Sequence, residues 1–307
     1  MDAPKRYLDF NTYLRQQYGC RVQKITIDAG LSCPNRDGTL SGTGCIYCNA
    51  LGSGTGAHGR DISITQQLEA GKAALARRYK AKKFLAYFQS YTNTYAPVAK
   101  LKALYDEAVA VDGVVGLCVG TRPDCVDEAI IDLLASYTDE YLVWLEYGLQ
   151  SAHDETLARI NRGHDRAAFE RAVAAAKNRG IRICVHVILG LPGETRKQMM
   201  QTADFLANLG IDGIKLHLLY VVEDTMLADW YRRGDYTCLS QGQYVDLVCE
   251  FLTRLPENVV VQRLTGDPHR NELIAPGWAL DKTGTLAQIQ QTMAEGDLRQ
   301  GCRRRRQ

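Results

Sequence analysis

Several signals are missing from this chain. There is no second CxxC pair beside the one at Cys45 and Cys48, so a zinc ribbon lacks its usual fourth ligand. No apolar run approaches the roughly 18 residues that a membrane span needs. The opening residues MDAPKRYLDF are charged and lack the apolar core of a secretory leader. No internal repeat is evident. Nor is there a bulk charge of one sign: the formal net charge is +2, and residues 297–307 hold five arginines against one aspartate. The basic character is therefore a property of the tail. These absences leave an untargeted chain, expected in the cytoplasm and with no membrane partner. Its ten cysteines read as metal ligands or reduced core thiols, not as disulfides. At 307 residues it suits one α/β barrel with appendages.

What is present centres on residues 31–49, LSCPNRDGTLSGTGCIYCN, which hold Cys33, Cys45 and Cys48. The alternating run VQKITIDAG before them reads as a strand, and a helix is expected from about Ser63. The thiols thus sit on a Gly-rich loop at the carboxyl end of a strand, where parallel α/β proteins place their chemistry. Zinc would need His58 as fourth ligand, among glycines. Three unrelated buried thiols would fit an apolar span better than this polar one. A [4Fe–4S] cube with three protein ligands fits best, because it leaves one iron open for a small molecule.

Further strands are expected at 84–90, 114–124, 141–151, 181–195 (IRICVHVILGLPGET, exiting through its Gly-Pro-Gly turn) and 212–221, each followed by a helical pattern. Six such units make a partial (β/α)6 barrel of the TIM type: an α/β fold with a short N-terminal cap at 1–21, a barrel at 22–239 and a C-terminal extension at 240–307. The cap's Tyr7, Phe10, Tyr13, Leu14 and Tyr18 predict a short packing helix stopped by Gly19. Glycines at 52, 54, 56 and 59 allow either close backbone approach to a ligand or simple mobility. On the fourth strand, Glu146 and Gln150 are expected on one face, and a buried glutamate needs a partner: a ligand group, or an ion pair with Arg122 or Lys215. Cys118 reads as core, while Cys125 lies just past a strand end. Arg159, Arg162, His164 and Arg166 form a basic run that reads equally as a solvated face or as part of a site. The helix 167–180 should end at Gly180. Lys215 and His217 alternate onto one face and would line the lumen as candidate catalytic groups.

The cysteine loop and these strand-end motifs together resemble the radical S-adenosylmethionine superfamily. That family's common motif is CxxxCxxC. Here eleven residues separate Cys33 from Cys45, a widened gap similar to that of the elongator catalytic subunit and its bacterial relatives. The resemblance implies that Cys33, Cys45 and Cys48 hold a [4Fe–4S] cluster and that S-adenosylmethionine chelates its open iron. In place of the family's Gly-Gly-Glu-like motif, the run Gln89-Ser90-Tyr91-Thr92-Asn93-Thr94 would meet the methionine amino group, through Gln89 and Ser90. Glu146, Gln150 and Ser151, in E-x-G-x-Q-S, would face the nucleoside. Arg162 and His164 would meet the methionine carboxylate or the substrate. Leu189, Gly190 and Pro192, in the Gly-Leu-Pro-Gly-Glu turn, would form the adenine surface.

The reaction so implied is formation of a 5′-deoxyadenosyl radical that abstracts hydrogen from substrate, with a flavodoxin or ferredoxin-like electron donor. The elongator-like likeness points to the 5-side chain of the tRNA wobble uridine, remodelled or trimmed rather than acetylated. The arginine tail would contact RNA phosphates, or would simply be a solubilising tail. A small-molecule enzyme resembling coproporphyrinogen oxidase and a zinc-stabilised RNA-binding module are the alternatives.

Overall fold

The computed structural model describes residues 6–49, 52 and 62–304. His58, the glycines at 54, 56 and 59, and Arg305 and Arg306 of the tail lie outside the described residues. The first helix is α1, Phe10–Tyr18. Asp9 caps it by accepting from the amides of Asn11 and Thr12, and it stops at Gly19 with a left-handed backbone. β1, Val22–Ile27, leads to the cysteine loop. α2, Ile64–Tyr79, opens on Ser63, which forms a capping box with Gln66. Alternation continues through β2 (Lys83–Phe88), α3 (Val98–Val109), β3 (Val114–Thr121), α4 (Glu128–Ala135), β4 (Leu142–Gln150), α5 (Asp154–Arg159), α6 (Arg166–Ala176), β5 (Arg182–Leu189), α7 (Arg196–Leu209) and β6 (Gly213–Leu218). The chain closes with β7 (Val221–Val222), α8 (Met226–Arg233), α9 (Gln241–Arg254), β8 (Val260–Arg263), β9 (Leu273–Ala275) and α10 (Lys282–Glu295).

The strands form one curled, parallel half-barrel in the order β1-β2-β3-β4-β5-β6-β8, with β1 and β8 as its open edges. The partial barrel expected from the sequence is there, with one strand more than the six counted. β8 comes from residues assigned to the extension and pairs in parallel with β6, so barrel and extension share α9 and β8. α6 ends at Ala176, short of Gly180, because Lys177 already has extended backbone and Asn178 and Gly180 both take positive φ in the turn that follows. No helix among the described residues is long and apolar enough to cross a membrane.

Strand parity divides the barrel. Val143, Leu145, Tyr147 and Leu149 of β4 join the helix-side core, while Leu142 and Trp144 face the lumen. At the amino ends of the strands the lumen is an apolar plug: Val22, Leu85, Cys118, Trp144, Cys184 and Val260, with Leu14 of α1. Phe10 and Tyr13 meet the Trp144 ring edge-on, each 5.8 Å from its centroid. Gly213 makes room for that indole, since a Cβ there would fall 2.7 Å from it. Cys118 is core, as its alternation predicts. The floor of the barrel is sealed by α1, so access is confined to the carboxyl end and the open side.

Candidate active site

Above the plug lies an ionic layer built on Glu146, which is fully buried. Its Oε1 accepts from the Lys24 ammonium at 2.5 Å, and its Oε2 accepts from Lys215 and from His186 Nε2, the latter at 2.9 Å. Lys24 also donates to Gln262 at 2.6 Å, and Lys215 to the Tyr87 hydroxyl at 2.9 Å. Burial alone would raise the Glu146 pKa. Lys215 and Lys24 outweigh it and hold the carboxyl well below the usual carboxylate range. Burial, then the Lys215 charge, push His186 down to about 4, so it is neutral and donates Nε2–H to the carboxylate. The His217 ring lies beside it, tilted by 40° with ring centroids 5.7 Å apart. Of the two partners the sequence offered for Glu146, a ligand or a lysine, the lysine reading describes what the fold contains. Lys215 is correspondingly committed to Glu146 and Tyr87 and is not a free catalytic group, whereas His217 stands one step nearer the strand ends.

The three cysteines lie at the carboxyl end of the sheet. Four elements hold their loop. Ile46 N–H donates to Ile160 O and Ile46 O accepts from Leu227 N. Thr92 N–H donates to Ser32 O. Asn161 Nδ2 reaches Ser41, Thr43 and Gly44 O at 3.2, 3.1 and 2.6 Å. Arg36 donates to Cys48 O at 2.9 Å and Asn49 to Glu272 at 2.9 Å. The sulfur of Cys45 is 3.6 Å from Asn35 Nδ2 and 3.6 Å from Arg162 Nη1. Burial, then Cys45, push the Cys48 thiol up to about 12.

These facts suit a cube. Among the described residues, the one trio of His, Cys, Asp and Glu ligand atoms within 4.8 Å of one another is Glu146, Cys184 and His186. The three loop thiols stand wider than that, whereas four sulfurs around a single zinc at about 2.3 Å would lie about 4 Å apart. A polynuclear cluster spans the wider gap, and N–H donors to a ligand sulfur are the usual second layer around one. The Glu146 trio is itself a poor cation site, because two ammoniums already occupy its carboxylate.

Arg162 and His164 come to this site. Arg162 is buried, with Nε and Nη2 donating to Gly148 O at 3.2 and 2.7 Å. His164 is pushed down to about 3 by burial and by Arg162. Arg159 and Arg166 are exposed, and Arg166 pairs with Glu170, so the basic run is half site and half solvated face. Arg122, buried, donates to Arg162 O at 2.8 Å and forks onto Asp124 at 2.9 and 2.8 Å, which sets the position of Arg162. Gln150 has a positive φ after a register shift, and its amide sits beside Arg162 over Gly148. Ser151 donates to Glu194, which burial raises to about 7. Glu194 is therefore not a helix cap; Thr195 takes that place, in a capping box with Gln198.

Ser90 is buried at the end of β2, and Gln89 N–H is tied to Ile27 O. Beyond them, Asn93 Nδ2 donates to Gly120 O and the Thr94 hydroxyl meets that of Thr121, anchoring the loop to β3. Gly190, with φ 90°, passes its carbonyl to the Tyr236 hydroxyl at 2.9 Å, and Pro192 is buried behind it. Leu189 is a correction. It faces the helix-side core, and its carbonyl is taken by Leu219 N–H at 3.0 Å, so it presents nothing to the lumen; by parity that place belongs to Ile188. Asn35, Arg36 and Asn161 were missed. Asn161 directly precedes Arg162 in the basic run, while Asn35 and Arg36 lie between Cys33 and Cys45 with no spacing that marks them.

A model of the Radical SAM superfamily matches residues 33–206, and one of the Radical_SAM C-terminal domain matches 211–295. The protein YtqA of Bacillus subtilis is 39% identical over 98% of this chain and 93% of its own. The tRNA uridine(34) acetyltransferase of Dehalococcoides mccartyi is 28% identical over 50% of this chain, which covers 33% of that enzyme. Among solved structures, archaeal Elp3 from Methanocaldococcus infernus superposes with a TM-score of 0.70 over 91% of this chain and 64% of its own; at 16% identity, that likeness is one of fold.

Proposed function

The chain belongs to the radical S-adenosylmethionine superfamily, and we propose that it remodels the 5-side chain of the wobble uridine in tRNA. Its cofactors are a [4Fe–4S] cluster and S-adenosylmethionine. Cys33, Cys45 and Cys48 are the residues that would hold the cube. With one iron open, it supplies the single electron that splits S-adenosylmethionine and starts hydrogen abstraction.

The observation that carries the chemistry is the pair of N–H donors on the Cys45 sulfur at the mouth of a sealed-floor barrel. Arg162 places a fixed positive charge at the cluster ligand and at the strand end where a methionine carboxylate would approach. Gln150 stands beside Arg162, and Ser90 and Ser151 are buried past the ends of β2 and β4, with β3 between them. The α1 plug closes the lumen from below and limits water. Support for tRNA as substrate is the likeness of half the chain to the uridine(34) enzyme. The exposed Arg303 and Arg304 would add phosphate contacts. A flavodoxin or ferredoxin-like protein would deliver the electron, in the cytoplasm.

Mass spectrometry of tRNA nucleosides from cells lacking the protein tests the substrate. Accumulation of a precursor at the wobble uridine is expected. Unchanged wobble nucleosides would remove tRNA and leave the cofactor chemistry intact.

A further inference from the structure

Between the ionic layer and the cluster loop, two polar groups are left over. β8 pairs with β6 so that Arg263 lies across from Lys215, and Lys215 points into the lumen toward Glu146 and Tyr87. The register shifts between Ile214 and Lys215, passing over Gln262, which itself meets Lys24 in the lumen; this irregularity lets Arg263 turn inward beside it. Its charge is felt by Tyr87, His186 and His217, all lumen-facing. Among the described residues no carboxylate and no hydrogen-bond acceptor meets the Arg263 guanidinium, and none meets the His217 imidazole, whose neighbour is the His186 ring. Glu146 is already shared by Lys24 and Lys215. The lumen thus carries positive charge in excess of its carboxylate. A half-buried guanidinium that meets no acceptor among the described residues is free to take a bound anion.

We propose that Arg263, with His217 beside it, is a subsite for a carboxylate carried by the substrate. The guanidinium fork matches a carboxylate's two oxygens with parallel N–H groups, and a neutral imidazole adds one more donor. Arg263 is the last residue of β8, across from Lys215, and His217 stands two residues beyond Lys215 near the end of β6; one planar fork and one imidazole suit a carboxylate better than a tetrahedral phosphate. The subsite rests on the reading that a substrate enters this lumen, and adds which group it presents.

The test is titration of 15N-histidine-labelled anaerobic holoenzyme with sodium acetate and, separately, inorganic phosphate at constant ionic strength. The His217 resonance is assigned by its loss in His217→Gln. Acetate should shift it saturably, and Arg263→Gln should weaken that binding about tenfold or more. Should Arg263→Gln fail to retain iron and sulfide, Arg263→Lys, which keeps the charge and loses the fork, should weaken it several-fold. No saturable shift, a shift indifferent to both variants, or tighter binding of phosphate would overturn the subsite. Since the probe is acetate, the result does not depend on tRNA. An acetate site lost with Arg263, together with unchanged wobble uridines in deletion cells, would remove the tRNA reading and keep the subsite.

Discussion

Arg162 and Cys45, 117 positions apart in the chain, meet at 3.6 Å through Nη1 and Sγ. The same guanidinium is pinned from behind by the Gly148 carbonyl, and its own backbone carbonyl is held by Arg122. A permanent positive charge is thereby fixed on one ligand of the expected cluster.

Such a charge stabilises the reduced, more negative cluster. Arg162→Gln should therefore lower the cluster's reduction potential and cost roughly 10–100-fold in cluster retention or activity. A redox titration followed by electron paramagnetic resonance, with iron counted on the same samples, checks both. An unmoved potential would show that the contact does not tune the cluster.

Gly148 should be intolerant for the same reason. A Cβ there would stand 2.7 Å from Arg162 Nη2 and 2.8 Å from Gln150 Nε2. Gly148→Ala should shift the potential in the direction of Arg162→Gln while the far-ultraviolet circular dichroism stays native. Gly42→Ala, in the same loop as the cysteines but with nothing within 4 Å, is the control and should retain cluster and activity.

Glu146→Gln would leave Lys24 and Lys215 facing each other in the lumen without a counter-charge. A loss of about 3–5 kcal/mol is expected in urea denaturation. Adding Lys215→Met should return part of it, because one buried charge is then removed along with its partner. If the double variant is no better than the single one, the layer is not held by this pairing.

The pH dependence follows from the histidines. His186 and His164 are held neutral, at about 4 and about 3, while the unfolded chain protonates them near 6.5. As pH falls below 6.5 the unfolded state binds more protons, so stability drops, until the folded-state values are reached. Going from pH 7 to pH 5 should cost about 2 kcal/mol for His186 alone. Glu146 acts in a lower window: its depressed pKa gives stability that is complete above 4.5 and is lost as pH falls well below that. Urea midpoints at pH 7 and pH 5 test this, and His186→Gln should shrink the difference by about 2 kcal/mol, leaving the shares of His164 and His217.

Much of the fold was legible because its signals are local. Ser63 and Thr195 announce their helices by caps three residues long, and Gly19 ends α1 where the aromatic spacing says it should. The cysteine loop could be read because all three thiols lie within sixteen residues of sequence. The run VVVQRLTG reads as a strand after the helix YVDLVCEFLTRL, but its place in the barrel sheet was not legible, because a four-residue strand carries the same pattern inside a sheet as outside one. Leu189 was misjudged by one position, and in a strand one position exchanges the lumen for the helix layer.

By itself the sequence determined the cluster loop, the alternating parallel architecture and the polar residues available at the strand ends. Only the tertiary structure decided their partners: Lys24 and Lys215 on Glu146, Arg162 on Cys45, and Arg263 on no acceptor among the described residues. Those pairings depend on strand register and on which loops cross above the sheet. Both are set by packing between segments 69 to 122 residues apart, and no local spacing encodes them.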